Sequence, residues 1–100
     1  MIVRIWHGRT PRAKAAAYLQ FLRERAIPDY RRTPGNIDAM VWQRHDGDVT
    51  HFITFSSWES FDAIRGFAGD DVEKARYYDE DEDFLLEFEP TVTHYEAWDS

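Results

Sequence analysis

The sequence predicts an α+β fold of the ferredoxin-like type, with the element order βαββαβ and a four-stranded antiparallel sheet. Three observations support this prediction: four segments alternate apolar and polar residues, two segments open with helix-start residues, and an Asp-Gly pair lies between the two middle strands. Right-handed crossovers place the last strand beside the first and both helices on one face of the sheet. A chain of 100 residues is expected to form one domain, over residues 1–100.

The first half of the chain is expected to form a strand over residues 2–7, ended by Gly8, and then one long helix. Thr10 and Pro11 predict the start of this helix, because a threonine hydroxyl caps free amides and proline has a helical φ without needing an N–H. The helix is expected to run to about residue 26 and to stop at Pro28, whose ring breaks the hydrogen-bond ladder.

The second half predicts a hairpin, a short helix and a last strand. Residues 37–45 and 49–58 alternate as strands, and Gly47 lies in the tight turn between them. Ser60 predicts the cap of a second helix over residues 61–68, followed by a further helical piece over 72–78. The acidic run 79–83 is expected to be a mobile, solvated loop over a pocket mouth, before a strand over 91–98.

The sheet face that carries no helix is expected to be covered by a second copy of the chain. If Val3, Ile5 and His7 point to the helices, alternation puts Trp6 on this open face, and Trp42 alternates onto it from the second strand. Exposed apolar area costs roughly 25 cal/mol per Å². The sequence therefore predicts a homodimer through Trp6 and Trp42, the alternative being that the apolar residues of one of these strands face the helices instead.

Composition excludes several classes of function. The net charge of −7 combines nine basic and three acidic residues in positions 1–45 with three basic and sixteen acidic residues afterwards. Nucleic-acid binding needs a positive footprint, so the overall acidity disfavours it. The chain has no cysteine, hence neither a disulfide nor a thiolate metal site. No apolar run reaches the roughly 18 residues of a membrane span, and the N-terminus does not resemble a signal peptide, so a cytoplasmic protein is expected.

The junction of the third strand with the second helix carries a resemblance to a known family. The stretch FSSWESFDAIRGFAG and the tail YYDEDEDFLLEFEPTVTHYE resemble the antibiotic biosynthesis monooxygenase superfamily, whose members form dimeric α+β barrels. The resemblance implies either oxidation of phenols or quinols by O₂ without a cofactor, or binding and degradation of haem. In the haem-degrading members the site is formed by an Asn, a Trp and a His, and these positions correspond to His7, Phe67 and Tyr77 in this sequence. Because all three residues differ, the haem signature is absent, and no cofactor is expected.

Six residues are candidates for a site. His7 is the candidate base, since an imidazole accepts protons near neutral pH. Tyr77 or Tyr78 would donate a hydrogen bond to a substrate or oxygen atom. Trp58 and Phe67 would stack on a flat ligand, and His94 would approach His7. For each residue the alternative is a structural role in the core or at its rim.

The function that the resemblance implies, with these residues as its site, is a cofactor-independent monooxygenase that acts on a small aromatic or quinol-type substrate with O₂. The alternative is a non-catalytic dimeric module that binds a small aromatic molecule or has a stress-related role. Haem binding or degradation is the third alternative. His45 and His51 flank the hairpin turn, where four ligands rarely converge, so no metal site is expected. The sequence leaves the substrate open.

Overall fold

The computed structural model describes residues 1–99 and confirms the predicted ferredoxin-like fold. The four strands form one antiparallel sheet in the order β2-β3-β1-β4. They are β1 (Ile2–Pro11), β2 (Asn36–Asp46), β3 (Val49–Trp58) and β4 (Thr93–Glu96). The first helix, α1, spans residues 12–32, and the second, α2, is Phe61–Ala68. No helix in the described part of the chain is long and apolar enough to span a membrane.

Helix α1 starts later and ends later than predicted. Thr10 remains in β1, and Pro11 is the cap residue of a short 3-10 turn, Arg12–Lys14. Pro28 does not stop the helix, because a π-helical segment, Leu22–Ala26, precedes it. There the N–H of Ile27 bonds the carbonyl five residues back, at Leu22. This wider turn makes room for a proline that lacks its own N–H, and the helix continues to Arg32.

Helix α2 has the predicted bounds, but the helical piece predicted after it is absent. The Ser60 side chain accepts a hydrogen bond from the N–H of Ala63 and so caps the helix. Gly69, at φ 90°, ends it. Residues 72–78 are a turn and an extended segment, in which Lys74 forms a β-bridge with Thr91. The segment is not helical because its backbone bonds to the chain near Pro90 instead: the Ala75 N–H donates to the Pro90 carbonyl at 3.0 Å, and the Glu73 carbonyl accepts from the Val92 N–H at 2.9 Å.

The acidic run also differs from prediction. Asp79–Asp83 is a 3-10 helix packed on the protein, and Asp81 is only 2% exposed. Because its carboxylate bonds groups on two other segments, the run cannot behave as a freely solvated loop. The last strand is shorter than predicted, since only Thr93–Glu96 pairs with β1.

The predicted orientation of β1 is wrong. Arg4, Trp6 and Thr10 are buried on the face that meets the helices, whereas Ile5 and His7 lie on the open face. Both faces of β1 carry apolar residues. A period of two therefore shows which residues share a face, but it does not show which face meets the helices. The orientation of β2 is as predicted: Ala39 is buried, and Met40 and Trp42 are 40% and 46% exposed on the open face.

Candidate functional site

A cavity lies between the helix-facing side of the sheet and the segments that cover it. Its enclosed space is small, about 20 Å³, which is room for about one water molecule. Ligand pockets commonly hold about 300–1,000 Å³, so binding a molecule of one or two rings would require the covering segments to move. Helix α1 contributes four lining residues, the sheet contributes Trp6 and Thr54, and the segments after β3 contribute Phe67, Arg76, Tyr78 and Asp81.

The α1 residues that line the cavity repeat at every fourth position: Tyr18, Leu22, Ala26 and Tyr30. All four are buried. In a regular α-helix of 3.6 residues per turn, a period of four drifts steadily around the axis. The π-helical segment between Leu22 and Ala26 widens one turn and offsets this drift. The irregular helix therefore keeps two tyrosines twelve positions apart on the same cavity.

Asp81 is the buried acid of the cavity. Its Oδ1 accepts a hydrogen bond from the Tyr18 hydroxyl at 2.8 Å, and its Oδ2 accepts one from the Tyr78 N–H at 2.7 Å. Burial raises the pKa of Asp81 above its usual value, and the two hydrogen bonds oppose this shift. Burial also raises the pKa of Tyr18, which keeps this phenol in its neutral, donating form. Asp81 is therefore a buried carboxyl group of the cavity lining whose two oxygens each accept one hydrogen bond.

Tyr30 and Phe67 form an aromatic stack on the other side of the cavity. Their ring centroids are 4.1 Å apart at an angle of 17°. The Tyr30 hydroxyl is within 2.9 Å of the Thr54 hydroxyl, and burial raises its pKa. Trp58 packs behind this stack, 6.0 Å from Phe67, and its N–H donates to the Ser56 hydroxyl at 2.9 Å. Arg76 also lies over the Phe67 ring, 4.6 Å from its centroid, so the stack is a packed part of the lining.

Tyr78 and Arg76 lie at the mouth. The Tyr78 hydroxyl donates to Oδ2 of Asp29 at 2.6 Å. The Tyr78 ring lies between two guanidinium groups, with the Arg25 carbon 5.1 Å and the Arg76 carbon 5.3 Å from its centroid. Burial raises the pKa of Tyr78. A neutral phenol held between two cations therefore lines the mouth.

Two of the six sequence candidates, Phe67 and Tyr78, line this cavity. Trp58 supports Phe67 from behind. Tyr77 lies outside the lining, where its hydroxyl donates to the Glu89 carbonyl at 2.5 Å and its ring packs edge-on against Trp6. The roles predicted for these residues remain predictions.

His7 and His94 do not meet. His94 lies on the helix-facing side, with Nε2 3.3 Å from Nη1 of Arg4. Burial, and then the nearby Arg4 charge, lower the pKa of His94. His7 lies on the open face, away from the cavity, so the base role predicted for it remains a prediction without a contact here.

His7 instead takes part in a chain of polar groups on the open face. Its Nδ1 is 2.5 Å from Oε2 of Glu89, and its Nε2 is 2.9 Å from Nδ1 of His51. Nε2 of His51 is in turn 3.6 Å from Oδ2 of Asp46. Because a carboxylate only accepts hydrogen bonds, Glu89 holds the His7 proton on Nδ1. This arrangement orders the two imidazoles. Among residues 1–99, no group of three or more His, Asp or Glu side chains could hold a metal ion.

The sequence analysis missed Asp81, Tyr18, Tyr30 and Arg76 as site residues. The four-residue spacing of Tyr18, Leu22, Ala26 and Tyr30 was the available indication for the two tyrosines, because it marks one face of a helix. Nothing in the local sequence distinguishes Asp81 from its four acidic neighbours. Its burial depends on Tyr18, which is 63 positions away.

Comparison with known proteins supports the fold alone. Neither a family model nor a curated protein matches the sequence. A Nitrosomonas europaea structure, provisionally described as an antibiotic biosynthesis monooxygenase, is similar over 97% of this chain and 98% of its own, with a TM-score of 0.70 and 18% identity. The structure of Rv0793 from Mycobacterium tuberculosis is similar over 100% and 98% of the two chains, with a TM-score of 0.63 and 20% identity.

A third similar structure is a MhuD variant with two manganese protoporphyrin IX molecules bound per active site. It covers 97% of this chain and 94% of its own, with a TM-score of 0.59 and 16% identity. All three share the four-stranded α+β architecture described above. The chain therefore has the fold of the antibiotic biosynthesis monooxygenase structures, as the resemblance in its sequence predicted.

Proposed function

We propose that the protein is a cofactor-independent monooxygenase that oxidises a small aromatic or quinol-type substrate with O₂. The observation that carries this proposal is a buried carboxylate, Asp81, inside an aromatic cavity. Chemistry of this kind needs a base to form the substrate anion and a site that keeps water away from it. The description of the Nitrosomonas europaea structure is consistent with the proposal.

In the proposed reaction, Asp81 accepts a proton from the acidic position of the bound substrate. The resulting anion transfers an electron to O₂, and the two radicals combine at the ring. When a ring methylene is oxidised, one oxygen atom becomes a carbonyl, and the other leaves as water with the two methylene hydrogens. Tyr18 holds Asp81 in place through its hydroxyl, and Phe67 supports the substrate ring.

We propose that Tyr78 serves as the donor toward the oxygen atoms. Tyr78 lines the cavity and remains neutral because burial raises its pKa, and to act as this donor its hydroxyl must exchange its present acceptor, Oδ2 of Asp29, for an oxygen atom of the substrate or of O₂. Tyr77 would act indirectly, because its ring packs against Trp6, which lines the cavity. Trp58 would support the stacking surface.

The activity test is O₂ uptake after anaerobic mixing with a panel of one- and two-ring quinols. Asp81→Asn should lower the rate about 100-fold or more, the usual contribution of a positioned acid or base. Asp83→Asn is the matched control, because Asp83 is exposed and its contact with Lys14 uses the backbone carbonyl. His7→Ala should leave uptake unchanged. Equal loss in the Asp81 and Asp83 variants would contradict the assignment.

We also propose a homodimer formed through the open face of the sheet. Trp6 was predicted to lie on this face but is buried inside the protomer. The exposed aromatic residues of the open face are Trp42 and Tyr95. Trp42 stacks on Phe55 at 5.2 Å, and Val3, Ile5 and Ile53 extend the apolar surface. An apolar surface of this extent on an antiparallel sheet favours burial against a second copy.

Sedimentation velocity at micromolar concentration tests the dimer. Trp42→Asp should shift the protein to a monomer, because a carboxylate would have to be buried in an apolar contact. Gln43→Asp is the control, since it adds the same charge on the opposite side of β2. A wild-type protein that sediments as a compact monomer would refute the dimer.

A non-catalytic binding module remains the second candidate, and one observation favours it. The hydroxyls of Tyr18, Tyr30 and Tyr78 already have partners within the protein, at 2.6–2.9 Å. These hydroxyls therefore offer no free donor to a substrate, whereas an enzyme needs polar groups that converge on the reacting atom. Ligand binding with no O₂ uptake over the quinol panel would support this function over the oxygenase.

Haem does not fit the described cavity. The porphyrin bound to MhuD suggests the test, but no histidine lines this cavity, and its enclosed space of about 20 Å³ is far below the usual pocket range of about 300–1,000 Å³. A tyrosine oxygen can ligate ferric haem, but each lining tyrosine hydroxyl is already hydrogen-bonded. No step is therefore assigned to haem, and titration with haem should give no Soret band of a ligated complex.

A further inference from the structure

The open face of the sheet has an apolar part and a polar end. The apolar part includes Ile53 and Trp42, which lie opposite each other in the register of β2 and β3. The polar end is a chain of four titratable side chains: Glu89, His7, His51 and Asp46. His7 lies opposite Ile53 in the register of β1 and β3, and both line one groove with Trp42. Covering the apolar part would thus also remove water from the polar end.

The hydrogen bonds of this chain limit how many protons the two imidazoles can hold. Glu89 accepts the Nδ1 proton of His7, and Nε2 of His7 lies 2.9 Å from Nδ1 of His51. That short distance between two ring nitrogens suits one proton, because two protons would place donor against donor and none would place two lone pairs together. When both imidazoles are neutral, Nε2 of His51 carries no proton. It then faces Oδ2 of Asp46 at 3.6 Å, so that two acceptors lie opposite each other.

One extra proton completes the chain. It gives Nε2 of His51 an N–H that points to Asp46, while the inner nitrogens of the two rings still share a single proton. A second extra proton would put an N–H on both inner nitrogens and break the contact between His7 and His51. The geometry is therefore satisfied by one extra proton and by neither zero nor two.

The charged groups around the pair also favour one extra proton. Arg9 pairs with Glu87 at 2.6 Å, and Arg44 lies 3.8 Å from Oδ2 of Asp46. Together with Glu89, these groups carry two positive and three negative charges, so one proton on the imidazoles makes this end of the face neutral. Burying charges against a second copy is unfavourable unless they are paired. The neutral state is consequently the one that a second copy covers most easily.

We propose that the His7–His51 pair links association through the open face to protonation: the homodimer is tightest when the two imidazoles hold one extra proton between them, and it weakens when that proton is lost or a second one is gained. This inference rests on the homodimer proposed above and adds the condition under which it forms best. In a symmetric dimer each copy brings the same polar end to the contact, so any surplus charge is present twice.

Sedimentation equilibrium from about pH 5.5 to about pH 8.5 tests the linkage, because imidazoles titrate in this range. The dissociation constant of the wild-type dimer should pass through a minimum and rise about tenfold towards each end, since one linked proton changes an equilibrium tenfold per pH unit. A loss of net charge alone would instead tighten association steadily towards the isoelectric point, near pH 4.9. Weakening on the acid side of the minimum is therefore the distinguishing result.

His51→Gln removes one imidazole of the pair and should reduce the variation of the dissociation constant to less than about threefold. His45→Gln is the matched control, because His45 belongs to the same hairpin but lies on the other side of β2, where its Nδ1 contacts the Thr50 hydroxyl. It should keep the wild-type minimum. The proposal is overturned if the minimum survives in His51→Gln or is also lost in His45→Gln. A wild-type dimer without a minimum refutes the linkage alone, whereas a monomer at every pH refutes the homodimer as well.

Nitrogen-15 NMR of the imidazole rings counts the protons directly and does not require a dimer. In the state with one extra proton, Nδ1 of His7 and Nε2 of His51 should both carry protons while the two inner nitrogens share one. As the pH falls, the pair should take up its two protons in separate steps, because the second one breaks the contact between the rings. Uptake of both protons in a single step would overturn the proposal. This measurement also decides the case in which His51→Gln does not dimerise.

Discussion

Gly8 provides the sharpest test of how the sheet forms the cavity. It lies inside β1, between Trp6 and Thr10, and its backbone has an ordinary extended conformation. A Cβ added at Gly8 would lie 2.5 Å and 2.7 Å from Cη2 and Cζ2 of Trp6, and 3.0 Å from Cδ2 of Leu85. Carbon atoms pack best at about 3.5–4.0 Å, so the indole would have to move by about 1 Å. Gly8 is therefore the space into which the Trp6 ring fits.

Gly8→Ala should destabilise the protein by about 1 kcal/mol. Overpacking a buried position costs about 1–3 kcal/mol, and the lower flexibility of alanine in the unfolded chain returns about 0.5–1 kcal/mol. In a Trp6→Phe background the two colliding carbons are absent, so Gly8→Ala should become neutral or stabilising there. The difference between the two backgrounds should be about 1–3 kcal/mol.

Urea unfolding of the four proteins at one protein concentration measures this coupling, with circular dichroism and fluorescence as independent probes. A fixed concentration matters because association would change apparent stability. If Gly8→Ala costs the same in both backgrounds, the Trp6 ring does not occupy the space above Gly8, and this account of the cavity lining is refuted.

Three further predictions concern His94, Ser60 and Arg4. The pKa of His94 is lowered from 6.5 by burial, so the native state binds fewer protons than the unfolded state below about pH 6.5 and loses stability as the pH falls; urea titrations from pH 7 to 5 should show a steeper loss for wild type than for His94→Gln. Ser60→Ala should cost about 1 kcal/mol through loss of the α2 cap, and Ser60→Gly only a few tenths, and equal costs would exclude the capping role. Arg4→Met should accelerate amide exchange in the segment over residues 72–75, whose carbonyls Arg4 binds, and unchanged exchange would show that the segment is held by other contacts.

Local patterns were sufficient to predict β2, β3, the hairpin and α2, whereas β1 continues past its predicted end at Gly8 to Pro11 and β4 is shorter than predicted. Alternation located β2 and β3 to within one residue, and Ser60 located the start of α2. These features depend on neighbours within a few positions, which the sequence displays directly. The sheet order followed because the number of right-handed arrangements with this order is small.

Features that depend on distant residues could not be predicted in this way. Arg4 is buried because the carbonyls of Val72 and Lys74 accept its donors, and Asp81 is buried because Tyr18 reaches it. Neither partner is near in sequence. The prediction of which face of β1 is buried failed for the same reason. When both sides of a strand carry apolar residues, the elements that cover each side decide which side is buried.

The wide turn at Leu22–Ala26 has a consequence for how this chain can vary. It acts as one extra residue that sets the rotational phase between the two halves of α1. Deleting a single residue there would restore a regular helix of 3.6 residues per turn, in which Tyr30 follows Tyr18 by about three whole turns. Tyr30 would therefore still face Thr54, and Tyr18 would keep its place. Deleting a residue elsewhere in α1, with the wide turn retained, would instead rotate the following part by roughly 100° and separate the two halves of the cavity.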